Sequence, residues 1–164
     1  MAANTEILAS YHTQLVVDHN QLLLHDCEFD FCEADLDLRY KESAPSLHLG
    51  ITPGVLAIFT ARWNGPVSLD VVARNGPPND DLSGWDNVAV ASIGFPSGCS
   101  VLFAPESFQS GLRFAVFPGV YRVRVYSGGW SETNDYEYEG PDYYNLAFWK
   151  APQAEPALLR GESE

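Results

Sequence analysis

A chain of 164 residues, 46% of them hydrophobic and 19% charged, is long enough for one domain that buries roughly two-thirds of the surface its unfolded form exposes. With 22 acidic against nine basic residues and a net charge of −13, it lacks the clustered Lys and Arg that a phosphate-binding surface requires. That argues against nucleic acid and for either a basic protein partner or acidity that serves solubility alone. No apolar run is long enough to cross a bilayer, so no membrane role is expected, and the scatter of 13 Gly and 11 Pro punctuates many short elements, which favours β over α.

The chain opens Met-Ala-Ala-Asn-Thr-Glu-Ile-Leu, with neither a basic start nor an apolar run ending at a small-residue cleavage site, and is read as carrying no secretory signal. Cys27, Cys32 and Cys99 make an odd count in no recognisable framework, and Cys-x4-Cys is not the usual zinc spacing. Reduced thiols and a cytoplasmic location are therefore expected. Ile7 to Val17 alternates, Asp18-His19-Asn20 turns it, and Leu22-Leu23-Leu24 follows, which predicts a first hairpin. Asp26 to Leu38 alternates acids with Phe29, Phe31, Ala34, Leu36 and Leu38, so its first part reads as a strand; Arg39 to Pro53 is polar and reads as irregular. Val55 to Trp63, the turn Asn64-Gly65-Pro66, and Val67 to Arg74 predict a central hairpin. Asn75 to Gly84 is loop.

Trp85 to Ile93, Ser100 to Phe103 and Leu112 to Phe117 predict three further short strands. Pro118-Gly119 then turns into Val120 to Tyr126, where Tyr121, Val123 and Val125 share one face and Val120, Arg122, Arg124 and Tyr126 the other. In so acidic a chain those two guanidiniums should face carboxylates. Tyr143 to Trp149 alternates again, and the tail from Ala151, rich in Pro, Ala and Glu, is expected to be partly disordered. Eight or nine strands with regularly spaced turns and no helical period predict an all-β fold, a single-domain antiparallel β-sandwich over 1–150 followed by an acidic tail over 151–164, with a barrel-like sandwich as the alternative.

Between the last two strands lies the excursion Ser127 to Asp142, far longer than the two to five residues a hairpin needs. Its Trp130, Tyr136 and Tyr138 interleave with Glu132, Asp135, Glu137 and Glu139, the pattern of aromatic anchors rimmed by charge that protein interfaces use. These seven residues are the candidate partner-binding site. The competing reading makes Tyr136-Glu-Tyr-Glu a further edge strand whose acids pair with Arg122 and Arg124. The pairs Asp35/Asp37, Asp80/Asp81 and Glu137/Glu139 are what any acidic chain contains and do not by themselves mark a calcium site or two glycosidase carboxylates. His25-Asp26-Cys27 with Cys32 has no second paired spacing and reads as strand residues, while Gly94-Phe95-Pro96-Ser97-Gly98 lacks the central serine of a nucleophile elbow and reads as a turn. No catalytic, cofactor or metal site is assigned.

Ser10-Tyr11-His12-Thr13-Gln14, Pro118-Gly119-Val120-Tyr121, and Tyr144 through Leu146 to Trp149-Lys150-Ala151-Pro152 resemble the competence protein J family. That bacterial family includes an inhibitor of a DNA-entry nuclease. The resemblance covers about a third of the chain in three patches of strand and turn, and the segments Asp26 to Asp37 and Ser127 to Asp142 look like additions to the family pattern. It implies a small cytoplasmic β protein that binds and blocks a partner. The leading expectation is thus a non-enzymatic, inhibitor- or immunity-type protein that occludes a basic partner such as a nuclease. A second is a carbohydrate-binding jelly-roll module, calcium-dependent or not, using Trp63, Trp85, Trp130 and Trp149.

Overall fold

The computed structural model describes residues 5–30, 45–105 and 111–162. Its strands are β1 (Ile7–Val17), β2 (Gln21–Asp26), β3 (Leu49–Thr52), β4 (Val55–Phe59), β5 (Gly65–Arg74), β6 (Asn87–Phe95), β7 (Cys99–Phe103), β8 (Leu112–Ala115), β9 (Gly119–Gly128), β10 (Tyr143–Lys150) and β11 (Ala157–Arg160). They form a six-stranded sheet in the order β1-β5-β10-β9-β6-β11 and a five-stranded sheet in the order β3-β4-β2-β7-β8. The sheets stack as an open β-sandwich, not a closed barrel. Every pair is antiparallel except β5 and β10, which run parallel because the chain returns to β5 only after building most of the molecule. The two sheets bury their facing rows, among them Leu22, Leu24, Leu56, Ile58 and Leu102 from one and Leu69, Val71, Val123, Val125 and Leu146 from the other.

Two smaller clusters explain why several strands read as continuously apolar. On the outer face of the five-stranded sheet Leu23, Val55, Ala57, Val101 and Phe103 are covered by Phe29, Phe59 and Cys27. On the outer face of the six-stranded sheet Val88, Tyr126 and Ala147 lie under Leu82 and Trp85. A strand covered on both faces loses its alternation, and all six residues of β2 are buried.

Neither expected hairpin forms. β1 and β2 reverse through His19 (φ 52°) and Asn20 (φ 48°) but join different sheets, with a single isolated bridge, Asp18–Gln21, at the reversal. The Asn64-Gly65 turn likewise carries the chain from β4 in one sheet to β5 in the other. Turn chemistry dictates where the chain reverses; which sheet the next strand joins depends on the faces it must bury. The stretch read as irregular before Pro53 contains β3, which makes a true hairpin with β4 through Gly54 (φ 81°). β2 ends at Asp26, and residues 31–38 of the acidic alternation lie outside the described residues. The tail is not a simple extension beyond residue 150: Ala157–Arg160 pairs with β6 as the sheet's last strand. Arg124 does face a carboxylate, Asp80 at 3.0 Å, but Arg122 instead donates to the carbonyls of Ala154 (2.8 Å) and Glu155 (3.1 Å) and so fastens that tail.

The thiol expectation is overturned. Cys27 and Cys99 are disulfide-bonded, joining the end of β2 to the start of β7, where His25 pairs with Val101 and Asp26 with Ser100. Asp26 is buried at this corner, its carboxylate accepting the backbone N–H of Glu28 (2.9 Å) and both the N–H and the hydroxyl of Ser97 (2.9 Å each). Two segments that looked unrelated in sequence, His25-Asp26-Cys27 and Gly94 to Gly98, thus meet as a structural corner. His25 is buried edge-on against Phe103, its ring centroid 5.1 Å away, and its Nδ1 donates to the backbone oxygen of Asp26 at 2.5 Å. Burial holds its pKa below the ordinary histidine value.

Two predictions follow from this corner. The disulfide closes a loop of sequence separation 72, so the C27S/C99S double variant should lose about 2–4 kcal/mol in chemical denaturation, matched by the wild type under reductant. Because His25 binds its proton less readily folded than unfolded, stability should be full above the unfolded pKa and fall as pH drops below it. Melts between pH 7.5 and 5.5 should show this slope, and His25→Gln should reduce it.

Candidate partner-binding loop

The excursion between β9 and β10 is neither strand nor random coil. It starts with a 3-10 turn at Trp130–Glu132 and continues through turns and bends to Pro141, so the edge-strand reading of Tyr136 to Glu139 does not hold. Its neck closes over Gly129, in the left-handed region at φ 75°, where a Cβ would lie 2.4 Å from the Pro141 carbonyl oxygen. Thr133 donates its hydroxyl back to the Gly129 carbonyl at 2.6 Å. Tyr136 N–H donates to the Asn134 side chain (3.1 Å) and Glu137 N–H to the Asn134 carbonyl (3.1 Å), which sets the tip as an Asx-type turn.

The loop is anchored from below by a buried cation. Arg62, fully buried, donates through Nε to Asp142 at 2.5 Å, through Nη2 to the Pro66 carbonyl at 2.5 Å, and through Nη1 to the Tyr138 carbonyl. The other oxygen of Asp142 accepts the Tyr144 hydroxyl at 2.9 Å, and that hydroxyl in turn accepts the Ala61 N–H at 2.8 Å. Burial first, and the Asp142 carboxylate second, push the Tyr144 pKa far up, so it stays a donor at any physiological pH. Gly65 (φ 123°) is what lets the loop come this close, since a Cβ there would meet the Tyr138 oxygen at 1.9 Å. One guanidinium therefore ties the start of β5, the tip of the loop and the entry to β10.

Above this anchor the side chains point outward. Tyr136 is 91% exposed and Tyr138 55%, and Glu132, Asp135, Glu137 and Glu139 are all exposed. Among the described residues none of these four acids meets a cation at ion-pair distance. Trp130 differs: it is half-buried, stacked edge-on against His48 at 4.6 Å, with its backbone N–H donating to the Asp86 carboxylate at 2.9 Å, and so forms the base of the loop more than its tip. The structure adds an aromatic that the sequence placed only among the tryptophans of the carbohydrate-binding alternative. Trp63 is 49% exposed, lies 5.2 Å from the His19 ring, and donates its backbone N–H to Asp135 at 2.9 Å, which sets it beside the acidic tip. Its neighbour Asn64-Gly65 was the available signal, because a residue at a reversal between sheets stands at the rim of the sandwich.

The other singled-out residues have structural partners. Asp80 pairs with Arg124, and Asp81 accepts the N–H and hydroxyl of Ser83, which hold its pKa down. Asp35 and Asp37 lie outside the described residues. Trp149 is buried beneath Arg124, and Trp85 packs on Tyr126 and Tyr143. Among the described residues no three His, Cys, Asp or Glu side chains converge as a metal-binding group.

Fold and loop together define a class: an open two-sheet β-sandwich whose long β9–β10 connection is an ordered, acidic and aromatic projection. Its backbone is ComJ-like. The solved structure of ComJ from Bacillus subtilis, inhibitor of the DNA-degrading activity of NucA, matches with a TM-score of 0.63 at 10% identity, over 91% of this chain and 100% of that one. The protein of crocagin biosynthetic gene J matches with a TM-score of 0.59 at 14% identity, over 88% of this chain and 100% of the other. No protein-family model and no curated protein matches the sequence.

If Arg62 is the anchor, Arg62→Met leaves Asp142 buried without its counter-ion and should cost about 3–5 kcal/mol in urea unfolding. A R62M/D142L double variant should recover part of that loss. Amide exchange over 130–140 should quicken in both variants, because the loop loses its bond to the core in each.

Proposed function

We propose that this protein is a non-enzymatic inhibitor that binds a basic protein, a nuclease being the fitting kind, and blocks it by occlusion. The observation that carries this is the β9–β10 loop. Exposed Tyr136 and Tyr138, with Trp63 beside them, stand among Glu132, Asp135, Glu137 and Glu139, four carboxylates without cation partners among the described residues, on a base held by Arg62. A loop fixed before binding loses little conformational entropy on docking. Its carboxylates occupy the positions of substrate phosphates in a positive catalytic cleft, and the net charge of −13 steers the approach. The aromatics supply area that is desolvated on contact, with Trp130 supporting them from beneath. The ComJ-like backbone supports the reading, since ComJ is itself a nuclease inhibitor.

The test is a low-salt pull-down from lysate of the native host with two baits, the intact protein and one whose Trp130 to Glu139 loop is replaced by a short Gly-Ser turn. A basic nuclease retained only by the intact bait, and inhibited by it, is the expected result. The E137K/E139K variant should slow association with that nuclease about tenfold or more, and added salt should slow the wild type likewise. Identical protein profiles on the two baits would remove the loop as the site.

A further inference from the structure

The six-stranded sheet ends, on the side away from β11, in an edge that does not resemble the other three. β3, β8 and β11 are four residues each, whereas β1 runs for 11. β8 carries Arg113, and β11 carries Arg160 with an irregular register beside it. β1, reading Ile-Leu-Ala-Ser-Tyr-His-Thr-Gln-Leu-Val-Val, contains no Asp, Glu, Lys, Arg or Pro in a chain of net charge −13. Its one register irregularity lies at its start, between Ile7 and Ala9. Among the described residues its only strand partner is β5, so alternate N–H and C=O groups along it point outward unpaired. Native proteins normally blunt such an edge with charge, proline or a central bulge, and none of these is present here.

We propose that β1 is a homodimer interface, two copies pairing this strand antiparallel about a two-fold axis at His12 so that their six-stranded sheets join into one. The sequence of the strand is self-complementary about that residue. Tyr11 falls opposite Thr13, Ser10 opposite Gln14, Ala9 opposite Leu15 and Leu8 opposite Val16, so polar meets polar near the axis and apolar meets apolar outside it. Residues brought opposite one another have the same parity, so each pair lies on one face of the joined sheet. On the solvent face this covers Leu8 and Val16, which are 61% and 42% exposed in the single chain. Isologous pairing of this kind is what a closed two-fold contact requires.

Charge selects a second copy over another protein's strand. Two chains of net charge −13 repel except where neither presents acids, and β1 is such a place. The carboxylate opposite His12 at the proposed axis, Asp70 of β5, is already met by His12 Nδ1 at 2.7 Å. A basic partner would gain nothing from an uncharged strand, and the acidic loop offers it a better surface. The inference is thus independent of the inhibitor reading.

The experiment is sedimentation equilibrium or light scattering across a concentration series, on the wild type and two double variants. The wild type should show twice its 18.1 kDa chain mass. S10E/Q14E, at two exposed positions, sets glutamate against glutamate across the axis and should return the mass to that of one chain, with the β-sheet circular dichroism spectrum of the wild type retained. S10K/Q14E changes the same two side chains but sets lysine against glutamate twice, and should restore the dimer. A wild type that stays monomeric to its solubility limit overturns the proposal, and so does a dimer indifferent to S10E/Q14E, which would use another surface.

Discussion

The buried ion pair between Arg62 and Asp142 is the constraint on which the rest of the candidate site depends. A guanidinium with no exposure is tolerated only when its donors are met, and here they reach a carboxylate and two backbone carbonyls, two of the three in the β9–β10 excursion and one at the start of β5. The acceptors join the excursion to the start of β5, so the pair fixes relative position as much as it satisfies charge. Without it, the connection from β9 to β10 has only its glycine neck, the contacts of Trp130 and the backbone bond from Trp63 to Asp135 to hold it. A hydrophobic replacement of similar volume would fill the space, but it would not specify where Tyr138 and Asp142 lie. Here the ionic solution serves placement of the projection.

The same pair explains why the core continues beneath a surface so rich in carboxylates. Asp142 is the last acid of the excursion and the only one of its run drawn inside, and Tyr144 follows it into the core two residues later. The chain thus passes from exposed acid to buried acid to buried phenol within a few residues, each step balanced by a donor. Gly65 and Gly129 supply the close approaches of backbone that this descent requires. The outward-facing acids need no such compensation, because water solvates them.

Most strands were legible in the sequence, β3 and β11 excepted, whereas of the strand partnerships few were. β9 and β10 could be read from alternation of Tyr121, Val123 and Val125 and of Tyr144, Leu146 and Phe148, and they are neighbours as expected. Asn64-Gly65 marked a reversal correctly, yet the strands on either side belong to different sheets, since a turn motif carries no information about which apolar face the next strand must cover. The parallel pairing of β10 with β5 is likewise a property of the finished sandwich. Arg62 was invisible for a related reason: a single arginine between Ala61 and Trp63 looks like an ordinary solvated side chain until the loop 80 residues later closes over it. Cys27 and Cys99 could not be paired in advance because their proximity depends on the register of β2 against β7. The acidic, aromatic loop stood out because length and composition alone departed from what a hairpin needs.

Charge is distributed on this molecule by purpose and not evenly. The cations are used inward or along seams: Arg62 beneath the loop, Arg124 against Asp80 and over Trp149, Arg122 on the carbonyls before β11. That leaves the exposed acids of the excursion, Glu132, Asp135, Glu137 and Glu139, without an ion-pair partner among the described residues, and it leaves β1 without Asp, Glu, Lys or Arg. An evenly acidic surface would repel every copy and attract every basic protein about equally. Concentrating the unpaired acids on one rigid projection confers direction on the electrostatic field, because approach from that side meets charge together with exposed aromatic area. Clearing β1 of charge has the opposite consequence, since the desolvation of backbone groups along it is opposed by little and rewarded by ladder hydrogen bonds. If the two proposals hold, the surfaces would discriminate by different physics, one by long-range attraction that salt screens and the other by short-range pairing that like charge would forbid.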